Sequence, residues 1–311
     1  MTALTTLAGA LATRGLRVTA DASIAELVTY RLGGPVAALV EVGTEAELAA
    51  VAEVVADRRP PVLVVGRGSN LLVADAGFAG LVVVLGGSFD DVSINDTAVG
   101  ADTVVAGGAV ALPVLARRSA AAGRSGLEFL VGIPGSVGGA VRMNAGGHGG
   151  ETREVLLKAW VADLAADGRP TERPADALAF GYRTSDLGDT DLVVRAEFAV
   201  TPDAPEACEA RVAEIVRWRR EHQPGGANAG SVFRNPPDDS AGRIIDACGL
   251  KGLRSGGATV SDKHANFIQA EAGARAADVR DLVLMVQERV EAATGIRLEP
   301  ELRLVGFGGP R

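Results

Sequence analysis

The densest run of glycine in the chain lies between Gly126 and Glu151, GLEFLVGIPGSVGGAVRMNAGGHGGE, and holds nine glycines and one proline. A packed helix loses roughly 1 kcal/mol for each internal glycine, so this composition disfavours an ordinary core helix. We therefore expect a long extended loop around a ligand. The alternative is a plain surface loop, against which the apolar residues Ile133, Val137 and Val141 argue.

Three glycines of this run, Gly135, Gly138 and Gly139, carry no Cβ and could let the backbone lie against a flat or charged cofactor. Asn144 follows them and could donate or accept a hydrogen bond at the cofactor's edge. The run is therefore predicted to bind a ligand through its backbone.

A second glycine-containing loop follows a short buried strand and reads Gly66-Arg67-Gly68-Ser69-Asn70. Successive backbone N–H groups in such a loop can form a nest for phosphate oxygens, and Ser69 and Asn70 could add side-chain donors. The loop matches neither of the common nucleotide-binding patterns, GxGxxG and GxxxxGK[ST]. A plain turn remains the alternative.

Length and patterning predict an α+β chain of two or three packed units in its 311 residues. Thr44 and Glu47 have the spacing of a capping box at the start of a helix. Glycines predict the ends of two further helices, at Gly123 and Gly295. The pattern changes near residue 203, where a long helix begins and continues to about residue 222.

Composition narrows the class of protein. The mean hydropathy of +0.20 supports a substantial core, and the apolar runs are too short to span a bilayer. The net charge of −8 argues against a general nucleic-acid binder. Cys208 and Cys248 are expected to be reduced thiols in a cytoplasmic protein, and three histidines without ligand spacing predict no metal site. The N-terminus has no basic leader, so no signal peptide is expected.

Several polar residues outside the glycine loops are candidates for chemistry. Arg183, next to Tyr182, could hold a carboxylate or an enolate oxygen, or form a surface ion pair. Ser231 in NAGSVFRNP lacks the G-x-S-x-G pattern and a local base, which disfavours acyl transfer. Asn235 suits a turn or a polar contact to a ligand. Glu301 and Arg303 would share one strand face, either as a structural pair or within a polar site.

Eight stretches follow one another along the chain, and each is modest by itself. They are TYRLGGP, VGRGSNLLVADAGFAGLVV, GIPGSVGGAVRMNAGGHGGE, FGYRTS, NAGSVFRNP, GLKG, KHANFI and LEPELRLVG. In this order they are highly specific, and from about Thr29 to Gly306 the chain resembles the UDP-N-acetylenolpyruvoylglucosamine reductase (MurB) family. Because no tyrosine-bearing insertion is evident, the chain resembles the shorter type of the family.

This resemblance implies an α+β fold with an FAD-binding domain of the vanillyl-alcohol-oxidase (PCMH) type in two subdomains, followed by an α+β substrate domain. We expect an N-terminal helical segment at 1–20, the FAD-binding domain at 21–202 and the substrate domain at 203–311. The implied activity is reduction of UDP-N-acetylglucosamine enolpyruvate to UDP-N-acetylmuramate in peptidoglycan precursor synthesis. NADPH is the implied hydride donor, and the protein is expected to be a monomer that neither binds nucleic acid nor inserts into membranes.

The resemblance also implies roles for individual residues. The catalytic residues would be Arg183, Ser231 and Glu301. Arg183 would neutralise an enolate and Ser231 would protonate it. Glu301 would support the enolate as a protonated donor, which requires a raised pKa, or would orient a neighbouring group. Substrate contacts would come from Tyr182, Asn235 and Arg303. The cofactor would lie along Gly66, Arg67, Gly68, Ser69, Asn70, Gly132, Ile133, Pro134, Gly135, Ser136, Gly138, Gly139 and Asn144.

Two positions depart from the family pattern. Many members have lysine where this chain has His222, and histidine is largely uncharged at neutral pH, so a diphosphate contact there would be weaker. Val28 replaces the usual asparagine before the first matching stretch. The rival interpretations are another oxidoreductase on the same flavin fold and a non-catalytic binder of nucleotide sugars.

Overall fold

A computed structural model describes residues 3–94 and 102–308 of the chain. The chain divides into a larger unit, Met1–Ala22, Ala37–Arg67 and Gly80–Arg219, and a smaller unit, Ser23–Val36, Gly68–Ala79 and Arg220–Arg311. The expected domain limits at 1–20, 21–202 and 203–311 stay a prediction, and the first two residues, 95–101 and the last three lie outside the described part.

Helices and strands are mixed along the described chain. The helices are α1 Ala3–Ala12, α2 Glu45–Arg58, α3 Leu112–Ala121, α4 Val137–Met143, α5 Thr152–Val155, α6 Pro205–His222, α7 Ala241–Ala247 and α8 Ala276–Thr294. Short 3₁₀ helices occupy Ile24–Leu27, Gly87–Asp90, Glu128–Gly132 and Ala175–Leu178. The strands are β1 Val18–Ser23, β2 Pro35–Val42, β3 Val62–Val64, β4 Leu71–Val73, β5 Phe78–Leu85, β6 Val92–Ile94, β7 Thr103–Gly107, β8 Arg124–Ser125, β9 Gly146–Gly147, β10 Gly150–Glu151, β11 Leu156–Asp163, β12 Pro170–Pro174, β13 Asp191–Ala199, β14 Thr201–Pro202, β15 Arg254–Ser255, β16 Ala258–Val260, β17 Ile268–Ala270 and β18 Arg303–Val305.

The larger unit is built on two sheets, with strand orders β1-β2-β5-β3 and β12-β11-β13-β7-β6. Each sheet contributes to a separate hydrophobic core, and β11 and β13 supply residues to both. In β13, Leu192 and Val194 enter the core that contains α2, whereas Ala196 and Phe198 enter the core that contains α3. A shift in the pairing of β13 with β11, between Trp160 and Val161, allows this change of face.

The predicted helix signals are confirmed. The Thr44 hydroxyl accepts from the Glu47 N–H at 3.2 Å, and the Glu47 carboxylate accepts from the Thr44 N–H at 3.1 Å, which completes the capping box of α2. Gly123 follows α3 with φ +65°, and Gly295 ends α8 with φ +73°. Glycine adopts such left-handed angles without the cost that a Cβ imposes.

The expectation of a long extended loop at 126–151 is wrong in its centre, where α4 forms. The Ser136 side chain caps this helix by accepting from the Gly139 N–H at 3.3 Å. Val137, Ala140 and Val141 are buried in the core. The free energy gained by burying that face outweighs the cost of placing Gly138 and Gly139 in a helix, because packing overrides intrinsic propensity in a short helix.

The smaller unit has one core around α7, α8 and the sheet β15-β16-β17. The segment 68–79 joins this core because β4 pairs with β18 in parallel. Asp75 from the same segment accepts from the N–H groups of Ala276 and Ala277, at 2.8 and 3.0 Å, and thereby caps the start of α8. The part of the second glycine loop from Gly68 onward therefore belongs to a segment that is fixed to the C-terminal core.

A charged cluster fastens the start of the glycine-rich run to α6 within the larger unit. The buried Glu128 carboxylate accepts from Arg211 at 2.8 Å and from the Gly126 N–H at 2.7 Å. Arg211 also bonds Asp203 at 2.7 Å. Burial raises the pKa of Glu128, but the backbone N–H groups and the Arg211 guanidinium outweigh it and hold that pKa below its ordinary value.

This cluster predicts a specific pH dependence. A carboxyl with a lowered folded-state pKa stabilises the fold above its unfolded pKa, and that contribution is lost as pH falls through the folded value. We expect Glu128→Gln to lower the free energy of unfolding at pH 7 by roughly 1–3 kcal/mol, since bonds to a charged partner are lost. Urea unfolding from pH 7 to 3 should show the difference from wild type shrinking below about pH 4.3, the ordinary value for glutamate. A difference that stays constant with pH would contradict it.

Candidate functional site

A cleft in the larger unit encloses about 680 Å³, part of it open to solvent. Its walls come from the ends of β3, β5, β7 and β13 and from the start of α4. The lining residues are Val64, Val65, Gly66, Arg67, Val84, Leu85, Gly108, Ala109, Ser136, Gly138, Gly139, Arg142, Asp191 and Val193. Both glycine-rich stretches singled out by sequence therefore reach this one cleft.

Bare backbone forms much of the cleft wall, and the structure shows why glycine is needed there. A Cβ on Gly66 would lie 2.2 Å from the Ser136 hydroxyl, which is buried and engaged as the cap of α4. A Cβ on Gly108 would lie 1.9 Å from the Val193 carbonyl oxygen, and one on Gly138 would lie 3.2 Å from the same atom. The surface that results can accept a long ligand against the main chain.

Nine of the fourteen lining residues were not predicted from the sequence, among them Gly108, Arg142 and Asp191. The pair Gly107-Gly108 after a strand was a usable signal for the first of them. Arg142 bonds Asp189 at 3.0 Å and the Gly188 carbonyl, so it is held beside the cleft. Nothing in the local pattern indicated Asp191.

The remaining predicted cofactor residues lie outside the cleft lining. Gly132, Ile133, Pro134 and Gly135 form the link into α4, and the Gly135 carbonyl accepts from the Leu112 N–H at 2.9 Å. In the smaller unit, a Cβ on Gly68 would lie 2.1 Å from the Leu27 carbonyl oxygen. Ser69 is half-buried, and Asn70 donates to the Glu301 carbonyl oxygen at 3.1 Å.

Asn144 is fully buried and bonded within the protein. Its Nδ2 donates to the Glu151 carboxylate at 3.0 Å and to the Gly181 carbonyl at 2.9 Å, while its Oδ1 accepts from the Arg153 N–H at 3.0 Å. Both amide hydrogens thus have protein acceptors. The observed contacts of this side chain hold the turn that begins at Gly181.

That turn carries Arg183 in the left-handed region, at φ +56°. Gly181 and Thr184 pair across the turn, and the Arg183 guanidinium donates to the Gly146 carbonyl at 2.9 Å. The guanidinium also lies over the ring of the exposed Tyr182, 4.9 Å from its centroid. A non-glycine residue with this φ is uncommon and is concentrated at functional positions.

In the smaller unit, hydrogen bonds join the segments that carry Ser231 and Glu301. The Val232 carbonyl accepts from the N–H groups of Glu301, at 2.8 Å, and Leu302, at 3.3 Å, and the Arg234 N–H donates to Glu299 at 2.9 Å. Ser231 and Glu301 are both half-buried. Two residues that sequence places 70 positions apart are therefore carried by neighbouring segments.

The other positions singled out by sequence lie in the smaller unit. Asn235 is exposed, and its Oδ1 accepts from the Ala241 N–H at 3.0 Å at the start of α7. Arg303 is the first residue of β18 and is half-buried. His222 is exposed at the end of α6, and Val28 is buried.

Models of two known domain families match parts of this chain and indicate the class of protein. The model of an FAD binding domain matches residues 36–172, and the model of the UDP-N-acetylenolpyruvoylglucosamine reductase C-terminal domain matches residues 222–305. The fold is therefore α+β, with an FAD-binding domain of the vanillyl-alcohol-oxidase type, as predicted. No helix among residues 3–94 and 102–308 has the length and apolar character to cross a membrane.

Whole-chain relatives then identify the family. UDP-N-acetylenolpyruvoylglucosamine reductase from Rubrobacter xylanophilus is 41% identical over 92% of this chain and 94% of its own length. The protein of that name from Heliobacterium modesticaldum is 43% identical over 90% of this chain and 88% of its own. The crystal structure of the Thermus caldophilus enzyme matches with a TM-score of 0.80 and 38% identity, over 93% of this chain and 98% of that one. The chain belongs to the UDP-N-acetylenolpyruvoylglucosamine reductase (MurB) family.

Proposed function

We propose that this chain is an FAD-dependent oxidoreductase that reduces the enolpyruvyl group of UDP-N-acetylglucosamine enolpyruvate, with NADPH as reductant, to give UDP-N-acetylmuramate for peptidoglycan precursors. Family membership across more than 90% of the chain supports the activity. The observation that carries it is the glycine-walled cleft, which offers bare backbone on several sides of a space suited to an extended dinucleotide.

The lining of the cleft fits FAD. Gly66, Gly138 and Gly139 have no side chain and would let it lie against the main chain, and Arg67 supplies a cation at the cleft rim for phosphate oxygens. When bound, FAD supplies a carrier that takes two electrons from NADPH and passes them to the substrate as hydride. The chain's own residues then have to orient the substrate, stabilise charge and supply one proton.

Addition of hydride to one carbon of the enolpyruvyl double bond leaves negative charge on the neighbouring carbon and its carboxylate. Arg183 would neutralise that charge, because its guanidinium is already held by Gly146 and need not reorganise. Ser231 would donate the proton that completes the reduction and would be reprotonated through neighbouring groups or water. Glu301 would support the enolate as a hydrogen-bond donor. Tyr182, Asn235 and Arg303 would contact the substrate.

The protein is further proposed to act as a monomer in the cytoplasm, without binding nucleic acid and without inserting into membranes. Its net charge of −8 supports a preference for local phosphate recognition over general nucleic-acid binding.

Spectroscopy of the purified protein tests this function. A yellow protein whose flavin absorbance bleaches with NADPH and recovers on addition of the enolpyruvyl substrate is expected. Comparison of NADPH with NADH in the same stopped-flow experiment tests the choice of reductant. A colourless protein that binds no added FAD would overturn the proposal.

A further inference from the structure

Asn266 holds the chain segment next to Ser231 from one side. It is only 3% exposed, and its backbone carbonyl accepts from the Val232 N–H at 2.9 Å. Its side-chain Oδ1 accepts from the Phe233 N–H at 2.9 Å, and its Nδ2 donates to the Phe233 carbonyl at 2.8 Å. One residue thus makes three hydrogen bonds to the two positions that follow Ser231.

The side-chain amide of Asn266 acts in place of a peptide group. An antiparallel strand partner exchanges an N–H and a C=O with the residue opposite, and the Asn266 amide does the same with Phe233. On the other side, Val232 and Arg234 are bonded to the segment 299–302. The backbone after Ser231 is consequently held between two segments. One contains Asn266, and the other, 299–302, contains Glu301.

The surroundings of Asn266 reinforce this arrangement. Its backbone N–H donates to the Nδ1 of His264 at 3.2 Å, which requires that nitrogen to be unprotonated. Burial lowers the pKa of His264, and the nearby charge of Lys251 lowers it further. The Phe233 side chain is 2% exposed, so the residue that is bonded to the Asn266 amide is also held by packing in the core.

We propose that Asn266 is a positioning residue for the proton-transfer step, acting through the backbone of Val232 and Phe233 on the placement of Ser231. This inference rests on the proposed function, in which Ser231 donates the proton. A displacement of about 1 Å in a reacting group can cost on the order of 100-fold in rate. Three hydrogen bonds within two residues of the donor are well placed to prevent such a displacement.

Stopped-flow measurement of the two half-reactions tests the proposal on the FAD-loaded enzyme. In Asn266→Ala, reduction of the flavin by NADPH should match wild type, whereas reoxidation by the enolpyruvyl substrate should fall by roughly 10- to 100-fold. Equal effects on both half-reactions, or none on reoxidation, would overturn the positioning role. Failure of wild type itself to be reoxidised by this substrate would instead overturn the proposed function.

Asn266→Asp supplies a second readout, which also serves if the alanine variant does not fold. When ionised, the carboxylate that this substitution introduces can accept from the Phe233 N–H but repels the Phe233 carbonyl, whereas the protonated acid can donate to it. The rate of reoxidation of this variant, divided by the wild-type rate at the same pH, should rise as pH falls. The division removes any effect of His264 titration, which both proteins share. A ratio that does not change with pH would contradict the proposal.

Tyr30→Phe is the matched control. The Tyr30 hydroxyl donates to the Ile268 carbonyl at 3.0 Å, and the side chain is 1% exposed in the same core. Its removal costs a buried hydrogen bond two residues from Asn266 and leaves the segment after Ser231 untouched. Both half-reactions should match wild type in this variant, although its thermal stability falls.

Discussion

Replacing Ser231 with alanine should leave reduction of the flavin by NADPH near the wild-type rate, while reoxidation by the enolpyruvyl substrate falls by about 10²- to 10⁴-fold, the usual contribution of a positioned acid. The hydroxyl is required only after hydride has been transferred to the substrate. Its loss should therefore slow reoxidation of the flavin but not its reduction. Single-turnover stopped-flow absorbance, with each half-reaction followed at the flavin band, measures the effect directly.

A matched serine outside the proposed site provides the control. Ser88 is exposed and donates to the Gly43 carbonyl at 2.7 Å, so Ser88→Ala also removes one side-chain hydrogen bond. Neither half-reaction should change in that variant. If Ser231→Ala were reoxidised as fast as wild type, Ser231 would not be the proton donor and water or another group would have to take its place.

The sequence predicted those helix starts and ends that depend only on neighbouring residues. The capping box at Thr44 and Glu47 and the helix end at Gly295 each depend on a few neighbouring residues, and both are present. The glycine-rich run contributes Ser136, Gly138, Gly139 and Arg142 to the cleft, and its binding of a ligand stays a prediction. Its helix α4 could not be predicted, because its stability comes from packing against β13 rather than from its own propensity.

Long-range contacts account for what the sequence did not reveal. The pairing of β4 with β18 brings together residues more than 200 positions apart, and no pattern within 68–79 indicates it. Asn144 was assigned to the cofactor's edge, but its bonds to Glu151 and Gly181 can be seen only in the folded chain. The bonds of Asn266 to Phe233 likewise span 33 positions, so the motif KHANFI alone gave no reason for its asparagine.

The second large effect is expected at Arg183, where two substitutions should lower activity equally but differ in stability. Arg183→Ala and Arg183→Gly should both slow reoxidation by the substrate by about 10²- to 10³-fold, since each removes a preorganised cation from the developing enolate. Arg183→Lys should recover only part of the rate, because a lysine keeps the charge but lacks the planar fork that can bond Gly146 and a carboxylate together.

Stability distinguishes the glycine variant from the alanine variant. At φ +56° a residue with a Cβ is strained by about 1–2 kcal/mol, and glycine is not. Arg183→Gly should therefore melt at a higher temperature than Arg183→Ala while being equally inactive. The surface pair of Arg254 with Glu271 offers a control, because Arg254→Ala removes an exposed cation and should change neither property. If Arg183→Gly were as active as wild type, the strained turn would have no catalytic purpose, and the enolate would have to be stabilised by other groups.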